Sequence, residues 1–435
     1  MALIKDMAGA FFATPTDEAR LLTYAAQARR IQTLGYDIGF KMLPRFPDAP
    51  FLALCSGRFN TTEALGTGYS FTSKADAFIA AFHETLERAL WIEQVAFWKE
   101  DAVRASAKSV EGPHLDLTRL AGFSSEQRES LHLGSLDENF LWSRGFSIVD
   151  QSPLLIPAQL ISSRYAQSIT GVEPLLRFSN SNGLASHTSR EKALLSGMLE
   201  LIERDAFMIT FSNEITPPRI DPRTVASARV QAALQQLRLY GLTADFVLLP
   251  TDMPATAIAC VVQDSTGIGP AFALGAKAHT ASEHALYGAL TEAMGVWYLA
   301  RHAGLYQKPL PPIAQMNALE RIAFWAQPDH AKMLRWLTSG TFVPLPRSSP
   351  WWARSSRSIA RRAQASGVTF AAATISTPAV EANNVHATMV VSPELQPLHL
   401  DASPAYLGGE RLSSVPKKYG YSVRKEPPSY PHPFP

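Results

Sequence analysis

The sequence predicts an α+β fold with sheets and helices in layers. Three observations lead there. Segments at 72–99, from 188 onward and at about 280–303 are rich in Ala, Leu and other helix formers. Short apolar runs bounded by Gly and Pro stand between them. The two kinds of segment interleave irregularly, without the strict β-α-β alternation of a parallel sheet.

The elements follow in chain order. The first 70 residues, with runs such as FKMLPRFPDAPFLALCSGRF, read as strands and turns. Residues 72–99 read as a helix, and the more polar 100–145 as a peripheral region. FSIVDQSPLLIPAQLI reads as strand. FSNSNGLASHTS is a turn-rich loop leading into a second helix. DFVLLP, TAIACVVQD and AFALGAK read as strands over 245–275, before the third helix. Residues 305–365, rich in Pro, Trp and Arg, resist assignment. The end reads as a strand, TMVVSPELQPLHL, followed by a Pro-rich tail over 426–435. No short repeat and no linker divides the 435 residues, so a single domain over 1–435 is expected.

Composition narrows the function classes. A net charge of +2 argues for no nucleic-acid partner and no acidic membrane surface. No apolar stretch approaches the roughly 18 residues of a membrane span. The N-terminus lacks a secretory pattern. Two cysteines, Cys55 and Cys260, have no metal-ligand spacing and read as buried thiols. A cytoplasmic protein is expected.

The helices share a punctuation. Each opens with a hydroxyl residue three before an acid: Ser73–Asp76, Thr188–Glu191 and Thr280–Glu283. The last two match a capping box. Twelve residues beyond Thr72, Thr188 and Thr280 stand Glu84, Glu200 and Glu292. The first two helices then continue alike, as Glu84-x-x-Glu87-Arg88 and Glu200-x-x-Glu203-Arg204. These three-residue sets share one helix face. One reading is a solvated face with i,i+4 ion pairs. Another is a carboxylate cage for hard cations such as Mg2+, which take oxygen ligands and bridge to phosphates, with the arginines on phosphate oxygens. A di-iron bundle would want Glu-x-x-His, and position i+3 is Glu in both helices. His83-Glu84 does not begin HExxH, since residue 87 is Glu. A classical P-loop is absent, so any nucleotide site is of another kind.

At these residues the chain resembles the YcaO family. SNSNGLASHTSREKALLSGMLELIERDAF resembles its signature segment. GTGYSFTSKADAFIAAFHETLERAL resembles its earlier glutamate-bearing helix, and ALGAKAHTASEHALYGALTEAMGVW its third. VVSPELQPLHLD and YLGGERL resemble its C-terminal part. Pro431-His432-Pro433-Phe434-Pro435 matches the PxPxP ending of azoline-forming members. The resemblance covers about residues 60–435.

What it implies is a YcaO-type fold of layered sheets, whose helices turn acidic faces to an ATP and Mg2+ site. By position, Glu84, Glu87, Glu200, Glu203 and Glu292 would be metal ligands or their support. Arg204 and Arg88 would face phosphate, with Ser181, Asn182 and Glu191 near the nucleotide. The tail would aim the Pro435 carboxylate at the reaction as a base. Two departures stand out: the family often has Gln at the position of Gly295 and Arg at that of Gly288. Members of this type act on ribosomally made peptides. A Cys, Ser or Thr side chain attacks the preceding carbonyl, ATP phosphorylates the resulting oxygen, and phosphate leaves as the azoline closes. Expected partners are the precursor peptide, a leader-peptide-binding partner protein and, as a further candidate, a flavin-dependent azoline oxidase. The alternatives are a peptide thioamide synthetase subunit and a noncatalytic scaffold of a modification complex.

Other residues carry open readings. His187, beside the SNG loop, contacts nucleotide or peptide or is incidental. His279 and His284 read as capping or surface residues. Trp351-Trp352 with Arg354, Arg357, Arg361 and Arg362 reads either as a grip for a peptide or partner or as a helix edge packed by Trp.

Overall fold

The structure is a computed structural model that describes residues 15–44, 46–60, 62–93, 102–168, 172–399 and 404–434. Its strands are β1 Ile38–Met42, β2 Ala53–Phe59, β3 Thr62–Ser70, β4 Val103–Ser106, β5 Asn139–Ser147, β6 Pro153–Pro157, β7 Leu184–His187, β8 Arg219–Ile220, β9 Leu242–Leu248, β10 Thr256–Asp264, β11 Phe272–His279, β12 Phe342–Val343, β13 Ala371–Thr374 and β14 His386–Val391. The longer helices are α1 Pro15–Thr33, α2 Lys74–Glu93, α3 Arg190–Ser212, α4 Ala228–Leu239, α5 Ser282–His302, α6 Ala318–Trp325, α7 Ser356–Ala365 and α8 Arg411–Lys418.

Three sheets form. Their orders are β1-β2-β3, β11-β10-β9-β8-β12 and β4-β5-β13-β14-β7, with β6 added on β5. The α+β expectation stands, and the fold is that of layered sheets with long helices between. Helix α2 packs on β2 and β3, α5 on β10 and β11, and α3 on β7, β14 and β11. Among the described residues, no helix is long and apolar enough to cross a membrane.

Two of these helix–sheet contacts are built alike. In the β2–β3 hairpin Gly68 pairs across the strands with Cys55, and in β10–β11 Gly275 pairs with Cys260. A Cβ on Gly68 would collide with the Ala77 carbonyl of α2. A Cβ on Gly275 would collide with the Ala293 amide and lie 2.7 Å from the Ala289 carbonyl of α5. A bare Cα at each crossing therefore lets the helix backbone rest on its strand. Paired residues face the same side of a sheet, so each thiol lies in the same layer. Both cysteines are buried and free, and burial pushes the Cys55 thiol up to about 12.

The structure corrects several expectations. Residues 15–33 are helical, in a region expected to hold strands and turns. The Gly- and Pro-rich signals that drove that expectation lie farther on, and α1 buries only Gln27, Ala28 and Ile31. Residues 100–145 are not peripheral throughout. Strand β5 carries fully buried Phe140 and Trp142, spaced by two so that both point inward. FSIVDQSPLLIPAQLI is the end of β5, a turn and β6. Helix α8 interrupts the expected run from last strand to tail.

The caps also differ. Ser73 Oγ does accept from the Ala75 and Asp76 amides, at 3.1 and 3.3 Å, but Asp76 pairs with Arg20. The cap of α3 is Ser189 rather than Thr188, and Glu191 turns away to Ser356. At α5 no box forms from Thr280 and Glu283. The Ser282 amide is taken instead by Ser348 Oγ at 2.9 Å, and the Ala281 amide by His279 Nδ1 at 2.9 Å.

Helix α3 is the hub of the C-terminal half. Asp205, fully buried within it, accepts from Arg411 Nε and Nη2 of α8 at 2.8 and 2.7 Å and from the Gln396 amide at 2.8 Å. Arg411→Ala leaves that carboxylate without its counter-charge. The expected cost is about 3–5 kcal/mol, read as a lowered urea midpoint. Gly275→Ala forces α5 off its strand and costs about 1–3 kcal/mol by the same measurement.

Candidate functional site

The predicted glutamates meet. Glu84, Glu87, Glu200, Glu203 and Glu292, from three separate helices, line one cavity of about 570 Å3. Arg88, Arg204 and Lys277 line it too, as do Ser181 and Asn182.

Each carboxylate is tied to a backbone amide. Glu84 Oε2 accepts from Thr67 N at 2.7 Å, Glu200 Oε2 from Gly183 N at 3.1 Å, and Glu292 Oε2 from Ala276 N at 2.7 Å. In these three cases the donor lies in the segment just before the helix, 17, 17 and 16 residues back. The remaining two reach across to the next unit. Glu87 accepts from Ser186 N on β7 at 2.6 Å, and Glu203 from Ala278 N on β11 at 3.0 Å. The glutamates at i and i+3 thus anchor their own strand and the neighbouring one, which fixes the helices relative to each other. Charge-assisted bonds of this kind contribute about 1.5–3 kcal/mol each.

The cations sit among them. Arg88 lies 2.6 Å from Glu84 Oε1. Arg204 lies 3.2 Å from Glu200 Oε1 and 3.0 Å from Glu203 Oε1. Lys277 lies 3.8 Å from Glu203. Five carboxylates against three cations leave an excess of negative charge. Burial pushes Glu87 well above the usual carboxylate range. Burial, followed by the charge of Glu203, pushes Glu292 up to about 7.

These residues fit bound divalent cations and an anion. Among the described residues no three acids, histidines or cysteines converge tightly enough to hold a metal by themselves. Mg2+ is commonly held by one or two carboxylates, with phosphate oxygens and waters completing the shell. Arg204 supplies the matching positive charge: Nη1 and Nη2 face Glu203 and Glu200, and among the described residues its buried Nε has no hydrogen-bond partner.

The remaining predicted residues divide. Ser181 and Asn182 line the cavity as expected, with Asn182 held by Leu398 O at 3.1 Å. Arg88 lines it. Glu191 does not line it: its carboxylate accepts from the Ser356 amide at 2.7 Å and Oγ at 2.6 Å. Pro435 lies outside the described residues. The tail before it is packed, not loose. Phe434 is buried, with the Arg204 guanidinium 4.0 Å from its ring centroid and Phe207 at 4.8 Å. His432 is buried with Nε2 2.7 Å from Arg321 Nη1 and 2.7 Å from the His399 carbonyl. The Pro431 carbonyl accepts from Trp325 Nε1 at 3.1 Å.

Sequence reasoning missed Lys277, although a lone charge in the apolar run FALGAKAH is a visible signal. The two glycine departures are filled from elsewhere. A Cβ on Gly288 would lie 2.8 Å from Lys277 Cγ, so the lysine stem occupies that space. A Cβ on Gly295 would lie 2.6 Å from the ring of Tyr69 on β3.

A family model described as YcaO cyclodehydratase, ATP- and Mg2+-binding, matches residues 67–396. An uncharacterized protein of Methanothermobacter thermautotrophicus is 30% identical over 168 residues, 38% of this chain and 43% of that one. An uncharacterized protein from the tfuA 3' region of Rhizobium leguminosarum bv. trifolii is 27% identical over 124 residues, 28% and 29% of the two. The chain therefore matches less than half the length of either curated relative. Among solved structures, a heterocyclase in complex with substrate and cofactor superposes with a TM-score of 0.71 at 18% identity, over 94% of this chain and 57% of that one. YcaO from Methanopyrus kandleri, bound with AMPPCP and Mg2+, gives 0.63 at 16% identity over 95% and 96%. The E. coli microcin synthetase McbBCD complex gives 0.59 at 14% identity over 82% and 87%. At these identities the likeness is one of fold.

Two predictions follow from the packed tail. Phe434→Leu takes the aromatic face from the Arg204 guanidinium while keeping most of the buried volume, and lowers turnover about tenfold. Phe434→Ala also opens a core cavity and lowers the melting midpoint, at a cost of about 3–5 kcal/mol. The second concerns pH. Burial, then His399 and Arg321, holds the His432 imidazole well below its usual range, and burial and Arg321 hold His399 at about 4. The unfolded rings take protons at about pH 6.5, so stability is full above that and is lost as pH falls from there toward 4. Thermal midpoints across this window drop for the wild type and drop less for His432→Phe.

Proposed function

The chain belongs to the YcaO family, and from that premise we propose that it is the ATP-dependent subunit of a peptide cyclodehydratase that forms azolines. Its cofactors are ATP and Mg2+. The observation that carries the reading is the meeting of five backbone-anchored glutamates with Arg88, Arg204 and Lys277 around one cavity.

The protein's residues have separable roles. Glu84, Glu200, Glu203 and Glu292 present oxygens to divalent cations, with Glu87 tying α2 to β7 and supporting the set. Arg204 and Lys277 neutralise phosphate oxygens, and Arg88 orients Glu84. Ser181 and Asn182 line the nucleotide side. When bound, Mg-ATP supplies the phosphoryl group that converts an amide oxygen into a leaving group. Phosphoryl transfer chiefly demands positioning and charge neutralisation, which this cage provides. The substrate is a ribosomally made peptide whose Cys, Ser or Thr attacks the preceding carbonyl. The carbonyl oxygen leaves as phosphate, and the ring closes with net loss of water. A partner protein that binds the leader presents the peptide, and the Pro435 carboxylate is the proposed base for the nucleophile's proton.

The test is incubation with ATP, Mg2+, precursor peptide and partner, read by mass spectrometry. Loss of one water per ring, with ADP and phosphate formed, is expected. Replacement of oxygen by sulfur supports thioamide formation instead, and an unchanged peptide supports a scaffold. Glu200→Gln and Glu203→Gln abolish ring formation in folded protein. Retained ring formation in either would remove that residue from the proposed site.

A further inference from the structure

Outside the cavity, the stretch from 342 to 362 holds a feature the proposed chemistry does not use. Trp351 and Trp352 are 82% and 65% exposed, so the packed-edge reading of this pair does not hold. Arg347, Arg354, Arg357, Arg361 and Arg362 accompany them, and no acidic residue stands between Asp329 and Glu381. Among the described residues Arg354, Arg357 and Arg362 have carbonyl partners, and none of the five arginines is given a carboxylate partner. Arg354 Nε donates to Ser349 O at 2.7 Å and Arg357 Nε to Val149 O at 2.8 Å. The planes of Arg354 and Arg357 are thereby fixed without a carboxylate to neutralise them. Exposed Trp with preset Arg is the composition of a protein-binding hot spot.

The segment that carries the pair is latched to two of the three glutamate-bearing helices, α5 and α3. At one end Ser348 Oγ accepts from the Ser282 amide, the first residue of α5, and the Ser349 amide donates to Thr280 O at 2.8 Å. At the other end Ser356 donates twice to Glu191 in the first turn of α3. Glu200 and Glu292 lie nine and ten residues down those helices, about 15 Å along the axis at 1.5 Å per residue. An extended chain covers that distance in about five residues.

We propose that Trp351, Trp352 and the surrounding arginines form a docking surface for an acidic segment of the peptide substrate. That segment carries an apolar side chain against the Trp pair and lies about five or more residues from the residue being cyclised. This rests on the peptide-modifying reading, but it is tested without ATP, so the two fail separately.

The experiment is fluorescence anisotropy of full-length protein with a short fluorescein-labelled peptide of Glu, Asp, Gly and Leu. The control is the same peptide with Lys replacing each acid. Binding of the acidic peptide alone is expected, weakened by salt. Trp351→Ala/Trp352→Ala and Arg357→Glu/Arg361→Glu should each weaken it at least about tenfold, with melting midpoints unchanged because all four side chains are exposed. Glu200→Gln should leave it unchanged. No binding, equal binding of both peptides, or unaltered binding by the Trp variant overturns the proposal. So does displacement of the peptide by phosphatidylglycerol vesicles or duplex DNA at lower concentration than by unlabelled peptide.

Discussion

Carboxylates are costly to gather in a half-buried place, and this structure depends on how that cost is offset. Every glutamate of the cavity accepts a backbone N–H from a strand or strand-flanking loop. The amide satisfies one lone pair, orients the side chain and lets the helix lie against the sheet. Gly68 and Gly275 make that approach possible by removing a Cβ from the crossing. Arg88 and Arg204 meet the second oxygens of Glu84, Glu200 and Glu203, yet five carboxylates still face only three cations. That unresolved charge is what divalent cations and a triphosphate would settle.

The geometry also has a direction. Glu87 reaches from α2 to β7, and Glu203 from α3 to β11, so each unit holds the next. At the corresponding place in α5 stands Gly295, and the ring of Tyr69 from β3 comes in against it. The circle is thus closed by packing rather than by a third carboxylate. The C-terminal residues then lock α3 from outside. Arg411 neutralises Asp205, and Phe434 covers the guanidinium of the adjacent Arg204. Stability and the electrostatics of the site are therefore joined at two consecutive residues.

The parts legible in the sequence were those with a period. Helical spacing put Glu84, Glu87 and Arg88, and Glu200, Glu203 and Arg204, on common faces, and the twelve-residue interval from Thr singled out Glu292. The resemblance supplied their destination. What the sequence hid was non-local. Glu191 looked like half of a capping box, but its partner, Ser356, is 165 residues away. Lys277 enters the site only because β11 pairs where it does and Gly288 leaves room for its stem. The pairing of Cys55 with Gly68 and of Cys260 with Gly275 is a structural repeat with no repeated sequence. Trp142 and Phe140 were passed over because polar neighbours outnumber them, though strand alternation buries both.

The central claim is that these carboxylates grip divalent metal against a triphosphate. Anomalous diffraction from crystals grown with Mn2+ and a non-hydrolysable ATP analogue tests it most directly. The account predicts manganese peaks between the phosphates and the oxygens of Glu84, Glu200, Glu203 or Glu292, with the phosphates against Arg204. Nucleotide bound elsewhere, or manganese with no glutamate of this set in its shell, would contradict it.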